Sequence, residues 1–170
     1  RCSFLLIAAC VALAAALPRL LALALERETI LEDYVEKSDR FATTLVHSET
    51  FGFLPDVPSA YTQPLYAWFL AGLYWPFGRS WVVVGLAQVL VAVVTALLVL
   101  AIGRVVATTR IGVIAALVAT LHPYVIWHDV HVNREILDSL LLAAITLLAL
   151  LAHDRRSWRL ALATGAVGGL

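Results

Sequence analysis

Trp81 to Gly103 is an apolar run interrupted by one strongly polar side chain, Gln88. At about 1.5 Å per helical residue it is long enough to cross the roughly 30 Å of hydrocarbon in a bilayer. A backbone in hydrocarbon must satisfy its own hydrogen bonds, so such a run can only be a helix. It is not alone. Cys2 to Leu25 is a second crossing run, Ile111 to Trp127 a shorter one kinked or ended near His122-Pro123, and Ile136 to Ala152 another. Residues 160–170 begin a fifth that the sequence does not finish. Hydrophobic residues make up 62% of the chain and charged ones 14%, against about 45–50% apolar in soluble domains. The expected fold class is all-α, a multi-span transmembrane bundle. The lack of Met, a start at Arg1 and an apolar finish suggest the N-terminal portion of a longer protein.

Leu65 to Phe77 differs from these runs. Bounded by Pro64 and Pro76 and rich in Tyr66, Trp68, Tyr74 and Trp75, it reaches only roughly 20 Å as a helix and reads as an interfacial or partly inserted segment. With it not crossing, Arg104 and Arg110 fall on the same side as Arg155, Arg156 and Arg159, the cytoplasmic side by the positive-inside rule. The loops 26–63 and 128–135 are then both external. All but one of the twelve acidic residues, Asp154, lie on that side. A cleaved secretory signal is the alternative for the first run, although Leu20 to Leu25 carries it past the usual length. Arg19, near its far end, is expected to snorkel toward head groups. The zero formal charge gives no basic stripe for a nucleic-acid partner.

Chemistry is expected in the outer loops. Ile30, Tyr34, Phe41 and Leu45 recur at helical spacings that suit a short helix lying on the membrane, and acids cluster around them: Glu26, Glu28, Glu32, Asp33, Glu36 and Asp39. In Glu36-Lys37-Ser38-Asp39-Arg40 carboxylates alternate with cations. Such a run can take a proton from a hydroxyl and hold a phosphate, or simply pair along a helix. In the second loop, His128-Asp129-Val130-His131-Val132-Asn133-Arg134-Glu135, Asn133 is a candidate N-cap and Glu135 complements the next helix dipole. His128, His131 and Glu135 have spacings that admit a divalent metal, though no known metal motif surrounds them. Asp138, one turn into the following span, is expected to face protein or pair with Arg134.

The order of these features carries a likeness. Pro64-Leu65-Tyr66, an aromatic short helix ending in Phe77-Gly78, a span bearing Gln88, an Arg-containing turn at Arg104 to Arg110, a small-residue span ending in a proline and an acid opening the next span resemble the polyprenyl-phosphate-sugar-dependent membrane glycosyltransferases of the GT-C fold. The nearest likeness is to the family 39-like group of protein O-mannosyltransferases and the lipid A aminoarabinose transferase. The resemblance implies an inverting transferase in the plasma (inner) membrane, with its site on the non-cytoplasmic face and an acid of the first outer loop as base. Asp39-Arg40-Phe41-Ala42 best matches the family's acid-aromatic-Ala pattern, with Asp33 and Glu36 as the other candidates. Glu135 stands at the family's later acid. Lys37, Arg40 and Arg134 would hold phosphate, and Tyr61, Gln63, His128 and His131 would line the substrate site. The implied partners are a polyprenyl-phosphate-linked sugar and a glycan, lipid or protein acceptor. Gln63 and Gln88 depart from the residues usual there. A transporter or flippase is the rival, disfavoured because the loops rather than the spans carry the polar residues; a purely structural subunit is the third reading.

Overall fold

The computed structural model describes residues 2–32 and 37–169. They form an all-helical chain: α1 (Cys2–Glu26), a 3-10 turn (Arg27–Leu31), α2 (Lys37–Ser48), α3 (Pro64–Phe77), α4 (Trp81–Val106), α5 (Thr109–Thr120), α6 (Pro123–Val130), α7 (Glu135–Asp154) and α8 (Trp158–Gly168). Local sequence sets several of these boundaries. Pro64 occupies the first turn of α3, where its missing N–H costs nothing. Gly78 ends that helix at φ 70°, donating its N–H to the Tyr74 carbonyl at 2.8 Å. Thr108 caps α5 by accepting the Ile111 N–H at 3.3 Å.

Packing fixes the direction of each helix. Leu23 of α1 lies over Gly85 of α4, Val11 and Ala15 pack with Ala96 and Leu100, and the Arg104 guanidinium sits 4.3 Å from the Phe4 ring centroid. α1 and α4 are therefore antiparallel, and the chain returns to α4 at the end where it left α1. Residues 27–80 make no net crossing. α4 and α5 meet closely at Gly103 and Gly112, where a Cβ on either would strike the backbone of the other helix. Leu13, Leu17 and Leu21 on α1, Leu86 and Leu90 on α4, and Ile114 and Val118 on α5 face outward and exposed. That much bare aliphatic surface is stable against lipid and not against water. Among the described residues three helices are long and apolar enough to cross, or four if α5 and α6 count as one bent span.

That bent pair turns by 64° between Thr120 and Pro123. Pro123 has no N–H and holds His122 in an extended conformation (φ −67°, ψ 124°), so the helix cannot run through. The break strands carbonyls at the end of α5, and Arg19 meets them. Contrary to the expected snorkelling, Arg19 is 1% exposed. It donates to the Thr120 carbonyl at 3.1 Å, to Thr120 Oγ1 at 3.0 Å and to the Ala15 carbonyl at 2.8 Å, and it pairs with Asp129 at 2.6 Å. A buried guanidinium with acceptors on three helices loses less than one stretched toward distant water.

Candidate functional site at the loop end of the bundle

The connection from α6 to α7 is held by side chains of two other helices. Tyr66 of α3 donates its hydroxyl proton to Gln88 Oε1 at 2.6 Å and accepts the Asn133 N–H at 2.9 Å. Gln88 Nε2 donates to the carbonyls of Asp129 at 2.8 Å and His131 at 2.9 Å. Tyr66, Gln88, His131 and Asn133 are all buried, so their polar groups would be costly to orphan. It explains a glutamine inside an apolar span: an irregular backbone at that depth needs partners, and Gln88 supplies two. Val130 and Val132 alternate inward between the polar residues, both with no exposed surface.

Most of the polar residues of this loop turn out to be braces. The N-cap of α7 is Arg134 rather than the expected Asn133; the Asn133 side-chain oxygen accepts the Glu135 N–H at 3.1 Å, while its amide donates to His128 Nδ1. His131 lies against Trp127, ring centroids 3.9 Å apart, with Nδ1 2.8 Å from the Trp127 carbonyl. Arg134 and Glu135 are exposed at the start of α7. Asp138 is exposed too, rather than turned into protein, because the buried face of α7 here is that of Ile136 and Leu137. Among the described residues no three His, Cys, Asp or Glu side chains converge as a metal site would need.

The acidic loop packs against α3 and α4. Its apolar residues face protein rather than membrane: Ile30 is buried under α4, and Phe41 has no exposed surface, with Phe51 and Phe53 edge-on at 4.8 and 4.7 Å. α2 packs on α3, and between them sits Asp39, 5% exposed. Its carboxylate accepts the Tyr74 hydroxyl at 2.5 Å and the Arg79 guanidinium at 3.1 Å from both Nε and Nη2. Nη2 of Arg79 also donates to the Leu31 carbonyl at 2.6 Å. Burial first, and then the adjacent Asp39 charge, push the Tyr74 hydroxyl far above the usual tyrosine range. Partial burial works against the charge on Arg79, but its bonds and proximity to Asp39 prevail, and its pKa rises.

Of the other candidates, Lys37 and Tyr61 are brought together, the ammonium donating to the hydroxyl at 2.9 Å on the exposed surface. That bond and the lysine charge lower the Tyr61 pKa. Arg40 donates to the Phe53 carbonyl at 3.0 Å, and Gln63 is exposed at the N-cap of α3 without a capping bond. Asp33 and Glu36 lie outside the described residues. Sequence reading passed over Arg79, took Tyr74 only as an interfacial aromatic, and gave no partner to Arg19 or Asp129. The one available signal was Arg79 itself, a lone charge directly after Phe77-Gly78 in a strongly apolar stretch.

Below this end, a cavity of about 390 Å³ opens among α1, α4, α5, α6 and α7, with Arg19, Thr120 and Asp129 in its wall beside Ala92, Ala96 and Ser139. The aromatic face of α3, Trp68 and Trp75, is exposed. The cavity wall is apolar apart from the Arg19–Asp129 pair and a few hydroxyls, and the loop residues Lys37, Arg40, Arg134 and Glu135 do not line it. Over residues 56–170 the chain matches the family model described as dolichyl-phosphate-mannose-protein mannosyltransferase. No curated protein and no solved structure gives a significant match.

Proposed function

The chain belongs to the dolichyl-phosphate-mannose-protein mannosyltransferase family, and from that premise we propose that it moves a sugar from a polyprenyl-phosphate donor to an acceptor hydroxyl on the non-cytoplasmic face of the membrane. The family match carries the reaction class. The face rests on the antiparallel packing of α1 and α4, which brings loops 26–63 and 128–135 to one end and leaves Arg104, Arg110 and Arg155 at the other.

The reaction is a displacement at the anomeric carbon. A carboxylate of the run 33–39 takes the proton of the acceptor hydroxyl as its oxygen bonds to that carbon. The bond to the phosphate oxygen breaks with its electron pair, inverting the centre and releasing polyprenyl phosphate. Arg134 meets the departing phosphate, with Lys37 or Arg40 beside it, because a guanidinium matches two phosphate oxygens at once. Tyr61 and Gln63 flank the sugar and Glu135 faces them, whereas His128 and His131, expected to line the site, are buried braces.

The test is transfer of labelled sugar from polyprenyl phosphate by the intact protein in membranes, mannose being the first donor to try given the family's description. Transfer that consumes donor and yields polyprenyl phosphate supports the reading; movement of the unaltered lipid across the bilayer without transfer sinks it in favour of a flippase. For the face, single cysteines replacing Asp56 and Arg134 in a Cys2- and Cys10-free protein react with an impermeant thiol reagent from outside, and one at Arg110 does not. Labelling at only one of the two loops contradicts a shared outer face.

A further inference from the structure

At the end of the bundle away from the acidic loops, an open groove of about 640 Å³ lies between α1, α4 and α5. Phe4 and Ile7 of α1 and Val113 and Ile114 of α5 make its walls apolar, and its polar lining is Arg104, Thr109 and Arg110. Arg104 lies over the Phe4 ring, 4.3 Å from the centroid. Among the described residues neither Arg104 nor Arg110 has a hydrogen bond or an ion pair to a protein acceptor. No carboxylate lines this groove, whereas the neighbouring one toward α7 contains Asp154. Two guanidinium groups thus stand beside an aliphatic wall with no counter-charge of the protein's own. Their depth follows from α4, which rises roughly 35 Å from Trp81 to Arg104, a little more than the roughly 30 Å of hydrocarbon. With Trp81 at one interface, Arg104 stands among the lipid phosphates of the other leaflet. Ile111, Ile114 and Val118, exposed along one face of α5, carry the apolar surface from the groove toward the middle of the bilayer.

We propose that this groove binds one anionic phospholipid of the leaflet opposite the acidic loops, its phosphate held by Arg104 and Arg110 and its chains laid along Ile7, Val113 and Ile114. Basic pockets between membrane helices suit such head groups because the charge lies at phosphate depth. A guanidinium fork matches two phosphate oxygens at once, and the Thr109 hydroxyl adds a donor. A zwitterionic head group would bring an ammonium beside two arginines with no carboxylate in the wall to receive it, and a free phosphate would leave the apolar wall uncovered. The occupant touches α1, α4 and α5 together, so it ties the three helices at the end where Gly103 and Gly112 meet. Such binding is independent of sugar transfer and needs only that the chain is embedded in a membrane.

The test titrates phosphatidylglycerol against phosphatidylcholine with the intact protein in mixed micelles, and native mass spectrometry reads the lipid retained. The parent protein is expected to keep one phosphatidylglycerol in preference to phosphatidylcholine. Arg104→Gln and Arg110→Gln should each weaken that binding about fivefold, the worth of one cationic side chain at an anionic lipid surface, and the double variant about 25-fold. Arg155→Gln, which lines only the neighbouring groove, should leave it unchanged. Ile114→Trp keeps both arginines and fills the groove, so it should abolish retention, which a mere attraction of charge to the membrane surface would survive. Phosphatidylglycerol should also raise the unfolding midpoint of the parent protein and not that of the double variant. Equal retention of the two lipids by the parent protein would overturn the site, as would parent-like affinity in the double variant or in Ile114→Trp. Should the double variant fail to fold, Ile114→Trp, altered at an exposed position, decides alone. Competition by soluble glycerol phosphate at the same concentration would show that the chains contribute nothing, and would overturn the lipid assignment. A protein that retains phosphatidylglycerol but transfers no sugar sinks only the transfer reading.

Discussion

Replacing Arg19 by Met should be among the most damaging single changes in the bundle. Its guanidinium is buried, paired with Asp129 at 2.6 Å and bonded to Ala15 and Thr120, whereas the Asp129 side chain is 16% exposed. The three bonds to Ala15 and Thr120 come from the same charged group and add to the ion pair, since bonds to a charge are worth about 1.5–3 kcal/mol where a neutral one between membrane helices averages about 0.6. Removing one member of a buried ion pair costs about 3–5 kcal/mol because the other charge stays behind uncompensated. Arg19→Met is therefore expected to lose at least about 3–5 kcal/mol, Thr120→Val about 1.5–3 kcal/mol, and the double variant Arg19→Met, Asp129→Leu most of a kilocalorie or less, since an apolar pair is content at that depth. Reversible unfolding of the purified protein in mixed micelles, read by helical circular dichroism, measures all three. A loss below about 1 kcal/mol for Arg19→Met, or a double variant as unstable as the single, would refute the claim that the ion pair holds the α5–α6 break.

Tyr66→Phe strands Gln88 and the Asn133 N–H, at about 1–3 kcal/mol for each orphaned group, and its effect should be strongly non-additive with Gln88→Leu in the same unfolding assay. Gly112→Leu drives a side chain into the α4 backbone at Leu100 and Arg104 and should cost at least about 1–3 kcal/mol, whereas Gly72→Ala, with open space around it, should be neutral or stabilising. The cation of Lys37 favours the Tyr61 phenolate, so Lys37→Met should raise the Tyr61 pKa toward the ordinary tyrosine value, seen by NMR titration of ring-labelled tyrosine; no movement would mean the 2.9 Å contact is not made in solution.

Hydropathy made the all-helical membrane class legible because a long apolar run leaves the backbone only one way to satisfy its hydrogen bonds. The break at His122-Pro123 was legible for a similar reason, as proline acts on its immediate neighbours, whereas the N-cap expected at Asn133 falls one residue later, at Arg134. Pairings across long sequence separations were not. Nothing near Arg19 points to Asp129 or Thr120, so an arginine near a span end read as a snorkelling residue, while the fold used it as a brace. Arg79 was passed over because its two acceptors, Leu31 and Asp39, come together only when α2 packs on α3. The same limit applies to Asp39: a pattern of acid, aromatic and alanine gives residue types in order, but whether a carboxylate faces substrate or a neighbouring arginine depends on packing. Gln88 stood out as an anomaly in its span, and its partners in the 128–133 backbone show why it is there.

The most direct test of the account is the yield of polyprenyl phosphate from polyprenyl-phosphate mannose by the purified intact protein, supplied with a cell-envelope acceptor fraction. It is compared with the triple variant Asp33→Asn, Glu36→Gln, Asp39→Asn, which removes every proton-accepting carboxylate of the run 33–39. The account predicts sugar-dependent product from the parent protein and a loss on the order of 10²–10⁴-fold in the variant, as for removal of a general base, with donor binding retained. Undiminished product from the variant, or donor that the parent protein binds and leaves unconverted, would contradict it.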